Sequence, residues 1–269
     1  MRRKAPGRMK ADDAKRAPRG ARRPLLPWSL KRIAAALERA YGAPEEPISS
    51  DPLELILFEN VVYLASDEKR RKAFSTLCSR VGTRPEAILA ASEERLLEAT
   101  SLGILPSHQA LKLRAIASRA KGLDLGSIVG RGGREAVTAL KAFPSLGEAG
   151  AERILLLSGA QALLALDSNG LRVLLRVGWG REDKDYTRTL RSVQDALKDQ
   201  VGTDIPWLVR VHQVLRRHGQ STCRRSQPLC EGCALNRGCS FAAAGPKAET
   251  QRPGGPHLRA RRARRRNAP

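Results

Sequence analysis

Leucine, alanine and arginine recur at three- and four-residue spacings almost throughout this chain, while aromatic residues make up only 4% and long alternating β-branched runs are absent. Positions three and four apart lie on one stripe of a helix, so the pattern predicts an all-α fold. Helices are expected over 28–41, 52–64, 68–81, 84–91, 93–100 and 107–121. Asp51 before Pro52 supplies a cap and a first-turn proline, and Ser92 caps the fifth of these helices. The connections are only a few residues long, as in a compact bundle. The glycines of 126–133 break the pattern, and 135–157 reads as helix, turn, helix around Phe143-Pro144-Ser145-Leu146-Gly147.

At 269 residues the chain is long enough for one large domain or two modest ones. Its formal charge of +22 and pI near 10.9 point to a polyanionic partner, because phosphates release counterions when Lys and Arg replace them. Nucleic acid is the first expectation for that partner. Residues 1–24 and 245–269 are rich in Arg, Pro, Gly and Ala and nearly free of large apolar residues, so both are expected to be disordered basic tails. They would either strengthen DNA binding without sequence preference or act only as solubilising ends. No stretch approaches the ~20 apolar residues of a membrane span, and no apolar secretory run opens the chain. The expected location is intracellular and DNA-associated, in cytoplasm or nucleoid.

Four of the five cysteines, Cys223, Cys230, Cys233 and Cys239, stand at C-x6-C-x2-C-x5-C. In a reducing compartment such crowding suggests metal binding rather than disulfides. A 4Fe-4S cluster and a structural zinc both accept four thiolates. Zinc sites usually come as two close pairs, whereas here there is one, which favours the cluster and leaves zinc as the alternative. Arg216, Arg217, Arg224, Arg225 and Arg237 flank the loop, as cations beside it or as a solvated basic surface. Cys78, alone on an apolar helix face, is expected in the core.

The order of the cysteines, with Pro228 before the second, resembles the iron-sulfur cluster loop of the endonuclease III family of DNA glycosylases. Phe143-Pro144-Ser145-Leu146-Gly147 is similar to that family's helix-hairpin-helix turn, L-P-G-V-G, which offers backbone N–H groups to a DNA phosphate. Ser145 replaces the turn's first glycine and is tolerated only if its φ is negative or it bears strain. Asp167 follows Gly147 by twenty residues, the separation at which the family places its catalytic aspartate. Asp167-Ser168-Asn169, with Arg172, Arg176, Gly178 and Trp179, is similar to the D-T-N stretch of the plant 5-methylcytosine glycosylases. By itself Asp167 also reads as the cap of a helix over 171–177.

The resemblance implies two helical lobes. One is a six-helix module over 51–157 containing the helix-hairpin-helix; the other combines 25–50 with 158–244 and carries the 4Fe-4S cluster on the four cysteines. It further implies base-excision repair by a monomer acting on double-stranded DNA: hydrolysis of the N-glycosidic bond of a damaged or mismatched base, extruded into the cleft between the lobes. Asp167 would stabilise the cationic sugar or activate water, and Glu59, where relatives keep a glutamate, would protonate the leaving base. Ser145, Leu146, Gly147, Arg172, Arg176, Arg224 and Arg225 are the implied DNA contacts. Tyr63 and Leu64 stand near where relatives insert a side chain into the duplex, and core packing is their other reading. The family's bifunctional members carry a Schiff-base lysine two residues after the turn's last glycine, and here that position is Ala149. A monofunctional glycosylase is therefore expected. The alternatives are a lyase using another amine and a DNA-binding protein that kept the scaffold without catalysis.

Overall fold

The computed structural model describes residues 27–63 and 65–245. The two expected tails and Leu64 lie outside the described residues, apart from Gly245. Among those described, thirteen α-helices and two short 3-10 turns account for all regular structure. The helices are α1 Leu30–Tyr41, α2 Pro52–Asn60, α3 Asp67–Arg80, α4 Pro85–Ala90, α5 Glu93–Thr100, α6 Pro106–Ala120 and α7 Leu125–Gly130. They continue as α8 Gly133–Lys141, α9 Glu148–Leu157, α10 Ser168–Val177, α11 Tyr186–Leu197, α12 Ile205–Ser221 and α13 Ser240–Ala244. None is long and apolar enough to cross a membrane.

Local chemistry sets the helix starts. Asp51 accepts from the Glu54 amide at 2.9 Å with Pro52 in the first turn of α2, and Ser92 caps α5 through the Arg95 amide. Helix ends are closed by distant arginines. Arg70 of α3 donates to the carbonyls of Phe58 and Glu59 at the end of α2, and Arg114 of α6 donates to those of Leu89 and Ala91 after α4. These guanidiniums satisfy carbonyls that a helix end otherwise leaves orphaned.

The helices bury two main cores. One gathers Leu55, Ile56 and Leu57 of α2 with Phe74, Leu77, Ile88, Leu96, Leu113, Ile116, Leu140 and Ile154. The other joins Leu30, Ile33 and Leu37 of α1 to Leu171, Leu174, Leu190, Val211 and Leu215 of α10 to α12. This helix packing is that of a two-lobed, all-α architecture, with the N-terminal helix returning to the C-terminal half. Trp28 fastens the return, since its carbonyl accepts from Trp179 Nε1 and its indole leaves no room for a side chain at Gly238.

Three expectations are corrected here. The glycine-rich stretch 126–133 does not simply break the pattern, because Asp124 caps the short helix α7 within it through the Ser127 amide. Cys78 is exposed, not in the core, for it lies beside buried Leu77 on the outer side of α3. Tyr63 is likewise 46% exposed and does not pack inside.

Candidate functional site

The hairpin turn between α8 and α9 is built by burying Phe143 and Leu146 and leaving Ser145 and Gly147 at the surface. Ser145 has φ +59°, so the serine does occupy the left-handed conformation suited to glycine and bears the strain. Ser145→Gly is therefore expected to stabilise the protein by about 0.5–1 kcal/mol net of the extra chain entropy, seen as a melting temperature higher by roughly 2–4 °C. Leu146 contributes packing, so the turn can offer a ligand only its backbone. No side chain caps α9, and Glu148 in its first turn is matched by Arg191 at 2.9 Å and Lys141 at 3.8 Å.

A cleft of about 400 Å³ opens where the two lobes meet. Phe58, Glu59 and Asp67 line it from one lobe, Arg153 from α9, and His212, Arg216 and Gln220 from α12. Glu59 is ion-paired with Arg153, and no lysine is among the lining residues. Arg216 Nε and Nη2 take both oxygens of Asp67, the latter at 2.6 Å, while Nη1 donates to Asp167 Oδ2.

Asp167 lies directly behind this arginine, only 7% exposed. It is the cap of α10: Oδ1 accepts from the amides of Asn169 (3.0 Å) and Gly170 (2.8 Å), and Oδ2 also accepts from Asn169 Nδ2. Burial pushes its pKa up, but the charge of Arg216, the field of His212 and the backbone bonds outweigh it and hold the group at about 2. The carboxylate is thus ionised but sealed. Burial also pulls Arg216 down, yet its bonds to Asp67 and the two carboxylate charges raise it past its ordinary value. His212 is buried, donates Nδ1 to the Ala165 carbonyl at 2.9 Å, and is driven toward its neutral form by desolvation. Tyr186, at the start of α11, has its phenol pushed up to about 12 by burial and then by the charge of Asp167.

The arginines of α10 share a face, as their spacing predicts, but that face is turned inward. Arg172 donates to the carbonyls of Cys223 and Gly219, and buried Arg176 donates to those of Arg224 and Arg225. They hold the segment after α12 in place. Arg224 and Arg225 themselves are exposed. Arg216 was legible only as a cation near the cysteines. Its spacing from His212, four residues along α12, is the signal that puts both on one face, and the partners at the far end come only from the fold.

The expected cofactor is corrected. Among the described residues no three His, Cys, Asp or Glu side chains are grouped so as to hold a metal ion, which contradicts a 4Fe-4S cluster on Cys223, Cys230, Cys233 and Cys239. All five cysteines are free thiols. The four border one small apolar cavity, and the polypeptide engages the sulfurs of Cys223, Cys233 and Cys239. Cys239 donates to the Arg176 carbonyl, Cys223 accepts from Arg176, and Cys233 accepts from the Leu235 amide with His218 at 3.5 Å. Burial raises the pKa of the Cys233 and Cys239 thiols.

The cores, the hairpin and the interlobe cleft define the class as a two-lobed helix-hairpin-helix fold. Comparison with solved structures finds a distant but consistent match to the fold of endonuclease III. A trapped covalent endonuclease III–DNA intermediate aligns over 81% of this chain and 98% of its own, with TM-score 0.61 and 19% identity. A thermostable thymine-DNA glycosylase aligns over 80% and 97%, with TM-score 0.59 and 16% identity. In sequence, the endonuclease III of Sulfolobus acidocaldarius is 25% identical over 191 residues, 70% of this chain and 80% of that protein. That of Thermotoga maritima is 30% identical over 112 residues, covering 41% of this chain and 49% of its own length. No family model matches the chain.

Proposed function

We propose that this chain is a base-excision-repair DNA glycosylase that hydrolyses the bond between a base and its sugar and lacks lyase chemistry. The observation that carries this reading is the interlobe cleft, with Glu59 and Arg216 in its lining and Asp167 bonded to that arginine from behind. Its volume of about 400 Å³ suits a small planar ligand such as a nucleobase. The uncapped start of α9, behind the surface-exposed turn at Ser145 and Gly147, supports phosphate binding through backbone N–H groups. Arg224 and Arg225 add exposed positive charge. Tyr63, Ile104 and Leu105 are large, exposed and joined by the Ile104 amide bond to the Tyr63 carbonyl, and they supply wedges to fill the gap an extruded base leaves.

Asp167 would act as a fixed negative charge against the cationic sugar once Arg216 releases its Oδ2, and Glu59, once it leaves its ion pair with Arg153 and takes up a proton, would pass that proton to the departing base. Ala149 and the absence of lysine among the described residues that line the cleft argue against a Schiff base. Incubation with a panel of duplexes carrying damaged or mismatched bases is expected to give base release without a borohydride-trapped enzyme–DNA adduct. Trapping through a lysine would overturn the monofunctional assignment. The sealed state of Asp167 favours one second reading, a DNA-binding protein without catalysis, which predicts binding to the same duplexes and release from none.

A further inference from the structure

We infer that Arg216 is a positioning residue that latches Asp167 shut in the free protein and opens when a ligand enters the cleft. The inference rests on the glycosylase reading and concerns how that site is regulated. Three observations carry it. First, one guanidinium bridges the lobes, binding Asp67 at the start of α3 through Nε and Nη2 and Asp167 at the start of α10 through Nη1. Second, the two carboxylates differ in access, the Asp67 side chain being 40% exposed and that of Asp167 only 8%. Third, Asp167 cannot turn out by itself, because its Oδ1 is pinned by the amides of Asn169 and Gly170.

The moving part is therefore the arginine. A planar guanidinium with five N–H groups can keep its two-point grip on Asp67 while exchanging the single Nη1 bond for an acceptor on the ligand, a phosphate or base carbonyl oxygen. That exchange leaves Asp167 Oδ2 with the Asn169 Nδ2 bond alone and opens its cleft-facing side only when the cleft is filled. Lysine, a point charge, cannot hold both carboxylates in this way. The other groups facing Asp167 are His212 of α12, Arg172 of its own helix and Tyr186 of α11, with Arg153 of α9 acting on His212 and Tyr186. None of these is hydrogen-bonded to the Asp167 carboxylate among the described contacts, and Asn169, which is, lies on the same helix turn as Asp167, so the latch across the lobes is assigned to Arg216.

The test follows the Asp167 carboxyl carbon by NMR in ¹³C-Asp-labelled full-length protein, its resonance assigned by its loss in Asp167→Asn. Arg216→Gln should move that resonance and raise the pH at which it titrates, since the guanidinium no longer favours the anion. The acid limb of the base-release profile should move up in pH with it, a shift that a merely structural arginine would not produce. Adding a duplex with an uncleavable abasic analogue to the wild type should move the resonance toward its Arg216→Gln position. Asp67→Asn, which weakens the open position, should slow base release about tenfold in kcat with KM little changed, and Arg216→Lys should not restore it. A duplex that binds and leaves the resonance in place overturns the latch alone. A duplex that does not bind overturns the glycosylase reading and, with it, the ligand the latch requires.

Discussion

Asp167→Asn is expected to lower the single-turnover rate of base release about a thousandfold while leaving α10 capped. The amide oxygen of Asn can still accept from the Asn169 and Gly170 amides, as Asp167 Oδ1 does, and Asn is as good a cap as Asp. What disappears is the fixed negative charge, whose pKa of about 2 keeps it ionised at any working pH. Losing one preorganised electrostatic partner of a developing charge typically costs a factor of 10²–10³, and one general acid–base group 10²–10⁴. The same substitution frees Nη1 of Arg216, which keeps Asp67, so a modest drop in melting temperature should accompany it. A variant that releases base at the wild-type rate would sink the assignment of Asp167. A wild type that releases nothing from any duplex would move the protein to the non-catalytic reading.

Gly219→Ala should be among the most damaging single substitutions to the fold outside the hydrophobic cores. Gly219 is buried on α12 where that helix crosses α10, and a Cβ there would stand 2.7 Å from the Asn169 carbonyl oxygen and 2.8 Å from its carbonyl carbon. Backbone atoms cannot step aside as the end of a flexible side chain can, so the helices must part. Overpacking of this kind costs about 1–3 kcal/mol, which for a domain of this length lowers the melting temperature by roughly 2–12 °C. Because Arg216 sits one turn earlier on α12 and Asn169 two residues after Asp167, the parting also loosens the cleft floor. Activity should fall with stability. Gly202→Ala is the control: that glycine is exposed, with nothing within 4 Å of an added Cβ, and should change the melting temperature little. Equal melting temperatures for both variants would show that the helix crossing tolerates a methyl group.

Much of the local structure was legible in the residues. Helix periodicity located α1 through α6 within a few positions, and the caps Asp51, Ser92 and Asp167 all hold the amides their placement implies. The hairpin was readable because a short turn between amphipathic helices has few ways to be written. Its price was readable as well, in the serine that takes a glycine's φ of +59°. Reading failed where the outcome depended on what a side chain meets far along the chain. Arg172 and Arg176 share a face as expected, yet whether that face met solvent or the segment after α12 was set by the packing of α10 on α12. The cysteine spacing suggested a cluster, and the four do border one cavity, but among the described residues no three metal-ligating side chains are grouped, and Cys233 and Cys239 are bonded to the chain.

By itself, then, the sequence determined the elements: which residues form helices, what caps them and where the turn between α8 and α9 falls, because these depend on interactions within about four residues. Only the tertiary structure decided the site. Arg216 reaches Asp67 across 149 positions and Asp167 across 49, and no local propensity encodes such a meeting. It exists because two separately buried cores bring α3, α10 and α12 to one cleft, where a buried carboxylate must find a cation to remain charged.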